Sequence, residues 1–377
     1  MNQSDHKRNQ SMLRGPLSRR GYLSWWHSFQ GREPLTGDMR TFFVEYFVIN
    51  PALGAGEPIL GQLSSNRKKG LKPAYVCVHA GVLPGTDEGL SLRSYYPIDE
   101  MKSLETPFYF QVGDCSCSEN HLSGYVDISE EEAQYKAFMT DAGSMEWNLE
   151  IHKAVAFHIG SIANPLFQFL GALDTFWHGE GIRTFYRGTV TLNGTVYEVS
   201  PEFSYGYADR HWGKKPNLPR FQFAGCRIHS ERLGRELKHS AIALDGCCPR
   251  FLHIPLPNRI FLQITYMGED FEFNFARPSL FTRMKWSSRK TNKRFLWHIK
   301  AQNRTAVAKL SLSCRREGML PIRYENPDGH LPRTPLFVGG CGIGTIELYR
   351  RNGKDLELLD KLFVEDALCM RQAVPKQ

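Results

Sequence analysis

The chain has no run of eighteen apolar residues, so a membrane-spanning helix is not its organising element. The first ten residues, Met1 to Gln10, are polar and hold no apolar stretch of the kind found in a secretory signal. Nine cysteines occur, yet no two are separated by two residues; Cys115 and Cys117 flank one residue, and Cys247 and Cys248 are adjacent. That removes zinc-finger spacing. An odd number of thiols without a secretion signal predicts free cysteines in a reducing cytoplasm. There is no Gly-x-Ser-x-Gly element, which argues against an α/β-type hydrolase. Gly339 to Gly344 is glycine-rich but lacks the Lys-Ser/Thr of a phosphate loop. Strand–helix alternation is missing as well, so neither a nucleotide nor any other cofactor is expected.

Zinc-finger, helix-turn-helix and RNA-binding signatures are also missing, although the formal charge is +8. The basic residues cluster at Arg14, Arg19 and Arg20, at Arg67 to Lys69, at Lys214, Lys215 and Arg220, and from Arg283 to Arg294. We expect no nucleic-acid partner, and we keep peripheral contact with an anionic membrane as an open reading. Asp114, Glu119 and Asn120 with Cys115 and Cys117 mix donor types that suit no common metal, and turn chemistry explains them; no metal is expected.

What is present is β-forming. Aromatics make up 12% of the chain, with 33 Gly and 21 Pro, the mark of many strands joined by tight turns. Apolar or alternating runs predict strands at 41–50, 74–80, 108–112, 121–128 and 146–157. Asn193-Gly194 predicts a hairpin between 188–192 and 195–199. Further strands are expected at 221–229, 240–245, 258–266, 270–275, 294–301, 304–314 and 341–349, with a hairpin at Arg351-Asn352-Gly353. Residues 159–185 read as an irregular linker with a short helix near Pro165 to Leu173. Residues 1–20 read as disordered. The fold class is all-β, in two strand-rich halves that must hide their edges, most simply by closing into barrels.

The densest grouping of polar, titratable and aromatic residues is Ser204 to Lys214, SYGYADRHWGK. On an extended segment Asp209 and His211 share one face, and on a turn they converge with Tyr207. These three are the candidate catalytic residues. Asp209 either holds the imidazole or stays protonated in an apolar cavity, where burial raises a carboxyl pKa. Its alternative role is structural, capping backbone N–H groups while Trp212 plugs a barrel end. Trp25 and Trp26 must point to opposite faces of a strand, one into a core and one to a cavity or interface. His27 follows as a second acid–base candidate. Trp177 and His178 line the cavity if the linker crosses between the halves. Trp25, Trp26, Trp177, His178 and Trp212 are the candidate substrate-binding residues. Arg315, Arg316, Arg323 and Arg333 with Glu317 and Glu325 read as rim ion pairs.

Several segments, in order, resemble the tocopherol cyclase-like superfamily, which includes carotenoid 1,2-hydratases and certain fungal Diels–Alderases. They are Gly21-Tyr-Leu-Ser-Trp-Trp26, Phe42 to Pro51, Gly113 to Asn120, Thr175 to Gly179, Gly188 to Gly194, Gly206 to Gly213 and Leu336 to Tyr349. The resemblance implies two tandem lipocalin-like antiparallel β-barrels, or strongly curved sheets, over 21–175 and 176–377, with a ligand cavity near their junction. It also implies a hydrophobic small-molecule ligand, isoprenoid- or polyketide-like. The expected activity is that of a cofactor-independent cyclase, hydratase or isomerase acting by shape plus general acid catalysis. The alternatives are a non-catalytic carrier of a hydrophobic ligand and a structural protein with no open cavity. Ser24 departs from the pattern, standing where the opening motif often has Glu; Glu45 replaces that acid only if its side chain faces inward.

Overall fold

A computed structural model describes residues 12–85, 87–155, 174–216, 220–247, 250–251, 254–255, 259–274 and 282–372. The first antiparallel sheet holds β1 (Tyr22–Arg32), β2 (Met39–Ile49), β3 (Tyr75–Leu83), β4 (Leu90–Tyr96), β5 (Lys102–Glu105), β6 (Phe108–Val112), β7 (Cys115–Ser118), β8 (His121–Ile128), β9 (Gly143–Val155), β10 (Thr175–Leu192), β11 (Thr195–Val199) and β12 (Gly206–Gly213). It curls until β4 returns against β8 and β9, closing a barrel.

The second half begins with β13 (Arg220–Gly225), β14 (Arg227–Ser230), β15 (Arg235–Glu236) and β16 (Ala241–Cys247). A two-residue pair follows, β17 (Arg250–Phe251) and β18 (Ile254–Pro255). Then come β19 (Arg259–Tyr266), β20 (Glu269–Phe273), β21 (Arg283–Lys290), β22 (Arg294–Gln302), β23 (Ala306–Arg315), β24 (Leu320–Ile322), β25 (Leu336–Asn352) and β26 (Asp355–Gln372). Apart from the β17–β18 pair, these strands form a curled half-barrel sheet. The fold is all-β, as the sequence predicts.

The burial patterns explain which strands build which layer. β9 alternates, with Met145, Trp147, Leu149 and Ile151 in the barrel and Glu146, Asn148, Glu150 and His152 facing water. β2, β3 and β12 are buried at nearly every position because both of their faces are covered. Their inner faces, with Leu23, Trp25 and Phe29 of β1, fill the barrel core. The outer faces of β1, β2 and β12 carry Tyr22, Trp26, Phe43, Phe47 and Tyr207, which pack against Ala224, Ala241, Ala243, Phe261, Leu368 and Met370 of the second sheet. A third core thus lies between the two sheets, aromatic on the first-barrel side and mixed in size on the other. Polar ties seal it: Arg93 Nη1 donates to Arg323 O at 2.8 Å, and Arg183 Nη1 donates to Cys226 O and Leu237 O, each at 3.1 Å.

Three expectations need correction. The boundary near residue 175 is displaced, because β10, β11 and β12 all belong to the first sheet, which runs to Gly213. β12 pairs with β1 residue by residue from Tyr22–Gly213 to Ser28–Tyr207, and that register holds the central segment in the first barrel. Trp177 and His178 lie on the long strand β10, not in an irregular linker; register shifts near Gly179 and Gly181 let that strand bend. The expected helix near Pro165 to Leu173 lies outside the described residues. Finally, residues 15–18 form a 3-10 turn and Leu13 is buried, so order begins before residue 20, while 1–11 lie outside the described residues.

The Asn193-Gly194 hairpin forms as expected, with φ of 48° and 83°, values that Asn and Gly tolerate. Cys77, Cys115, Cys117, Cys226, Cys314, Cys341 and Cys369 are free thiols. No helix among the described residues is long and apolar enough to cross a membrane.

Candidate functional site

One cross-strand row on the outer face of the first barrel carries most of the chemistry. It runs Gly179 (β10), Asp209 (β12), Trp26 (β1), Glu45 (β2), His79 (β3) and Arg93 (β4). The five side chains of this row point into the layer between the sheets, and Gly179 leaves room beside them. Trp26 stacks on Phe43 with ring centroids 4.9 Å apart and separates two polar clusters.

The first cluster centres on Asp209, which is 1% exposed. Four groups converge on its Oδ2: Trp177 Nε1 donates at 2.8 Å, Tyr207 OH at 2.6 Å and Gln222 Nε2 at 2.6 Å, and His211 Nε2 lies at 3.1 Å. Gln222 Nε2 also donates to Tyr207 OH. Oδ1 has no partner among the described residues. Burial opposes ionisation of Asp209, but the charge and hydrogen bond of His211, with the Tyr207 and Gln222 donors, hold its carboxyl below the ordinary range. Asp209 is therefore a carboxylate that holds an imidazole, not the protonated acid that an apolar cavity alone would make. Burial and the Asp209 charge push the Tyr207 phenol well above its usual value, so it keeps its proton.

The second cluster centres on Glu45, 2% exposed. Ser24 Oγ donates to Oε1 at 2.5 Å, while His79 Nδ1 at 3.0 Å and Tyr324 OH at 2.9 Å donate to Oε2. His79 Nε2 meets Ser91 Oγ at 2.9 Å. Glu45 thus faces the inter-sheet layer and bonds the very serine that replaces the expected acid. Burial opposes its ionisation, and the His79, Ser24 and Tyr324 hydrogen bonds still hold its carboxyl below the usual range. Burial and the Arg93 charge depress His79 to about 4, against the pull of Glu45. At neutral pH His79 is a neutral donor, and Glu45 is stabilised by hydrogen bonds.

Several expected residues face the other way. Trp25 packs on Phe108 and Phe110, and Trp212 stacks on Phe176 at 5.4 Å; both fill the barrel core. His178 is paired across the ladder with Arg210 and lies near the buried Glu180. Period-two alternation decides this: Trp25, His178 and Trp212 each sit one residue from a site-facing neighbour. His27 also points into the barrel, its Nδ1 2.9 Å from Tyr186 OH, and burial and Lys153 depress it to about 4. Inside the barrel Glu180 holds Lys153 at 3.0 Å and Arg210 at 3.5 Å. Burial resists its ionisation, and the charges of Lys153, Arg210 and His178 bring its carboxyl to about 2. Trp26 and Trp177 remain as aromatic walls of the inter-sheet site.

Gln222, His79 and Tyr324 are missing from the sequence reading, and Glu45 enters it only as a conditional replacement for the acid at Ser24. Apart from Tyr324, the signal is a single polar residue inside an apolar strand: FVEYF at Glu45, VCVHAG at His79 and FQF at Gln222. Such a residue has both neighbours buried and is buried itself, so it needs a partner.

The pair of buried histidines sets a pH response. Unfolded, His27 and His79 take up protons near pH 6.5; folded, they resist until about 4. The unfolded state therefore binds more protons across that window, and folding stability falls as pH drops from about 6.5 toward 4, by roughly 3 kcal/mol per histidine. We expect a lower urea midpoint at pH 4.5 than at pH 7; an equal midpoint contradicts the burial argument.

Access from solvent lies at the seam of the sheets. A cleft of about 480 Å³ is lined by Met39, Arg40, Phe203, Tyr205, Arg227 and Arg315, among others. Sharing Gln30, Thr41, Tyr205, Gly340 and Asp366 with it, a neck of about 10 Å³ continues to Ser28, Ile182, Tyr207, Ala224 and Leu368. Tyr207 is thus the member of the Asp209 cluster nearest the outside.

No protein-family model matches the chain, and no curated protein matches it. Two solved structures are similar to it at low identity. One is a candidate AttH from Nitrosomonas europaea, 9% identical, covering 92% of this chain and 91% of that one, with a TM-score of 0.44. The other is kievitone hydratase from Nectria haematococca, 12% identical, covering 93% and 89%, with a TM-score of 0.42.

Proposed function

We propose that the protein is a cofactor-independent acid–base enzyme, a hydratase, cyclase or isomerase, acting on a hydrophobic small molecule held between the two sheets. The observation that carries this reading is the asymmetry of Asp209: Oδ2 receives four partners while Oδ1, equally buried, has none among the described residues. A buried acceptor left open in an apolar layer suits a ligand that brings the missing donor.

In this reading Asp209 orients His211, and His211 exchanges a proton with the substrate, since imidazole is the side chain best able to give and take one. Tyr207 keeps its proton and, by turning its hydrogen bond away from Asp209 Oδ2, donates to a substrate oxygen arriving through the neck. Trp26, Trp177 and Ile182 supply apolar walls that fix the substrate's pose. The neck, at about 10 Å³, has room for about one water. In a hydration this is where the adding water stands; a substrate must widen the neck by moving Tyr205 or Leu368.

A structural role is the second reading. The enclosure of Asp209 at 1% and His211 at 3% exposure favours it. Native mass spectrometry of the purified protein, followed by incubation with whatever hydrophobic ligand co-purifies, separates the two. The enzyme reading expects the ligand to be converted to an isomer or hydrate; a ligand recovered unchanged supports a carrier, and no ligand supports the structural role. On such a substrate Tyr207→Phe, which keeps ring volume, is expected to lower turnover at least about tenfold and stability by about 1 kcal/mol. Unchanged turnover removes Tyr207 from the mechanism.

A further inference from the structure

From Phe273 to Arg316 the chain contains no Asp or Glu, yet this stretch holds twelve Lys and Arg, more than the whole net charge of +8. The fold spreads many of them over one exposed sheet face. Lys285 (β21), Lys300 (β22) and Lys309 (β23) are directly opposite one another, and the row continues to Glu347 (β25) and Lys361 (β26). All three lysines are exposed. Lys309 pairs with Glu347 at 2.9 Å, whereas Lys285, Arg289, Lys290, Lys293 and Lys300 form no ion pair among the described residues. Like charges placed directly opposite destabilise a sheet, so folding alone does not account for the row.

The neighbouring rows give the face its second character. One runs Ser287, His298, Ser311, Thr345 and Phe363; another runs Arg289, Leu296, Ser313 and Ile343. Phe363 is 39% exposed, and Leu296 and Ile343 are partly exposed. Across the lysine and serine rows lies a shallow hollow of about 550 Å³, lined by Lys285, Ser287, His298, Lys300, Lys309 and Ser311. The rings of this hairpin turn inward: Trp286 packs on Phe221 at 4.9 Å, and Trp297 on Phe221 at 5.8 Å. Along these rows Phe363 is the one exposed phenyl ring, where base binding uses a series of aromatic side chains.

We propose that this face docks on a membrane surface containing anionic phospholipids. The unpaired lysines meet headgroup phosphates and carboxylates, the hydroxyl-lined hollow receives one headgroup, and Phe363, Leu296 and Ile343 enter the headgroup region between them. The proposal is independent of the chemistry at Asp209. It also suits a protein whose ligand is apolar, since a membrane is where such a molecule accumulates.

Co-sedimentation with phosphatidylcholine vesicles, with and without phosphatidylserine, tests it. The full chain is expected to pellet with the anionic vesicles only, and to be released by salt. The variant Lys285→Gln/Lys300→Gln/Lys309→Gln is expected to bind about a hundredfold more weakly, each charge being worth about a fivefold change. These side chains are exposed and repel one another, so a urea midpoint no lower than the parent's confirms that the variant is folded. Arg67→Gln/Lys68→Gln, elsewhere on the surface, is expected to bind as the parent does. Equal pelleting on both vesicle types, parent-like binding by the triple variant, or tighter capture of duplex DNA than of anionic vesicles overturns the proposal.

Discussion

Asp209→Asn is expected to lower turnover on the hydrophobic substrate about a hundredfold to ten-thousandfold, the range typical for loss of a positioned acid–base group. Asn keeps the size of the side chain, and its carbonyl oxygen still accepts from Trp177, Tyr207 and Gln222 at the Oδ2 position. Two things are lost. His211 no longer faces an anion, and the open acceptor at Oδ1 becomes an NH₂ donor, inverting what the ligand meets. Stability is expected to fall by about 1.5–3 kcal/mol, as for hydrogen bonds to a charged group. Steady-state kinetics beside a urea titration checks both numbers. Turnover preserved with stability reduced assigns Asp209 a structural role.

The second large effect concerns the interface of the sheets. Glu45→Ala is expected to destabilise the protein by about 3–5 kcal/mol, because it leaves buried groups without the charge that satisfies them. Ser24, His79 and Tyr324 all donate to this carboxylate, and Tyr324 reaches it from the chain following β24, in the second half. The carboxylate therefore ties both sheets. In a double-mutant cycle with Tyr324→Phe, the coupling energy is expected to exceed about 0.5 kcal/mol, the scale for residues in one hydrogen-bonded network. A loss below about 1 kcal/mol for Glu45→Ala, the size of a single ordinary hydrogen bond, contradicts the account. Because the folded pKa of Glu45 is depressed, its contribution is present above the unfolded value and disappears only as pH falls through the folded one.

How far the sequence leads depends on which faces of a strand are covered. β8 and β9 are covered on one face, so their alternation predicts both their strand character and their inward residues. β2, β3 and β12 are covered on both faces, so the pattern announces burial but not direction. That is why Asp209 and His211 are placed on one face by spacing alone, Tyr207 joins them on that same face of a strand and not through a turn, and Trp212 is assigned to the site but instead fills the barrel. The partner of Gln222 is unreadable for another reason: Gln222 arrives from β13, and nothing local links that strand to β12. The boundary at 175 fails because a pairing partner nearly two hundred residues upstream, β1, claims the central segment. The strand β21 escaped the strand assignment, being basic and exposed along most of its length.

The most direct test of the inter-sheet site is a crystal structure of the protein with its co-purified or added hydrophobic ligand. The account predicts ligand density reached through the widened neck, within hydrogen-bond distance of Tyr207 OH and Asp209 Oδ1, against Trp26 and Trp177. Density inside the first barrel beside His27 and Glu180, with the Asp209 cluster closed and unchanged, contradicts it.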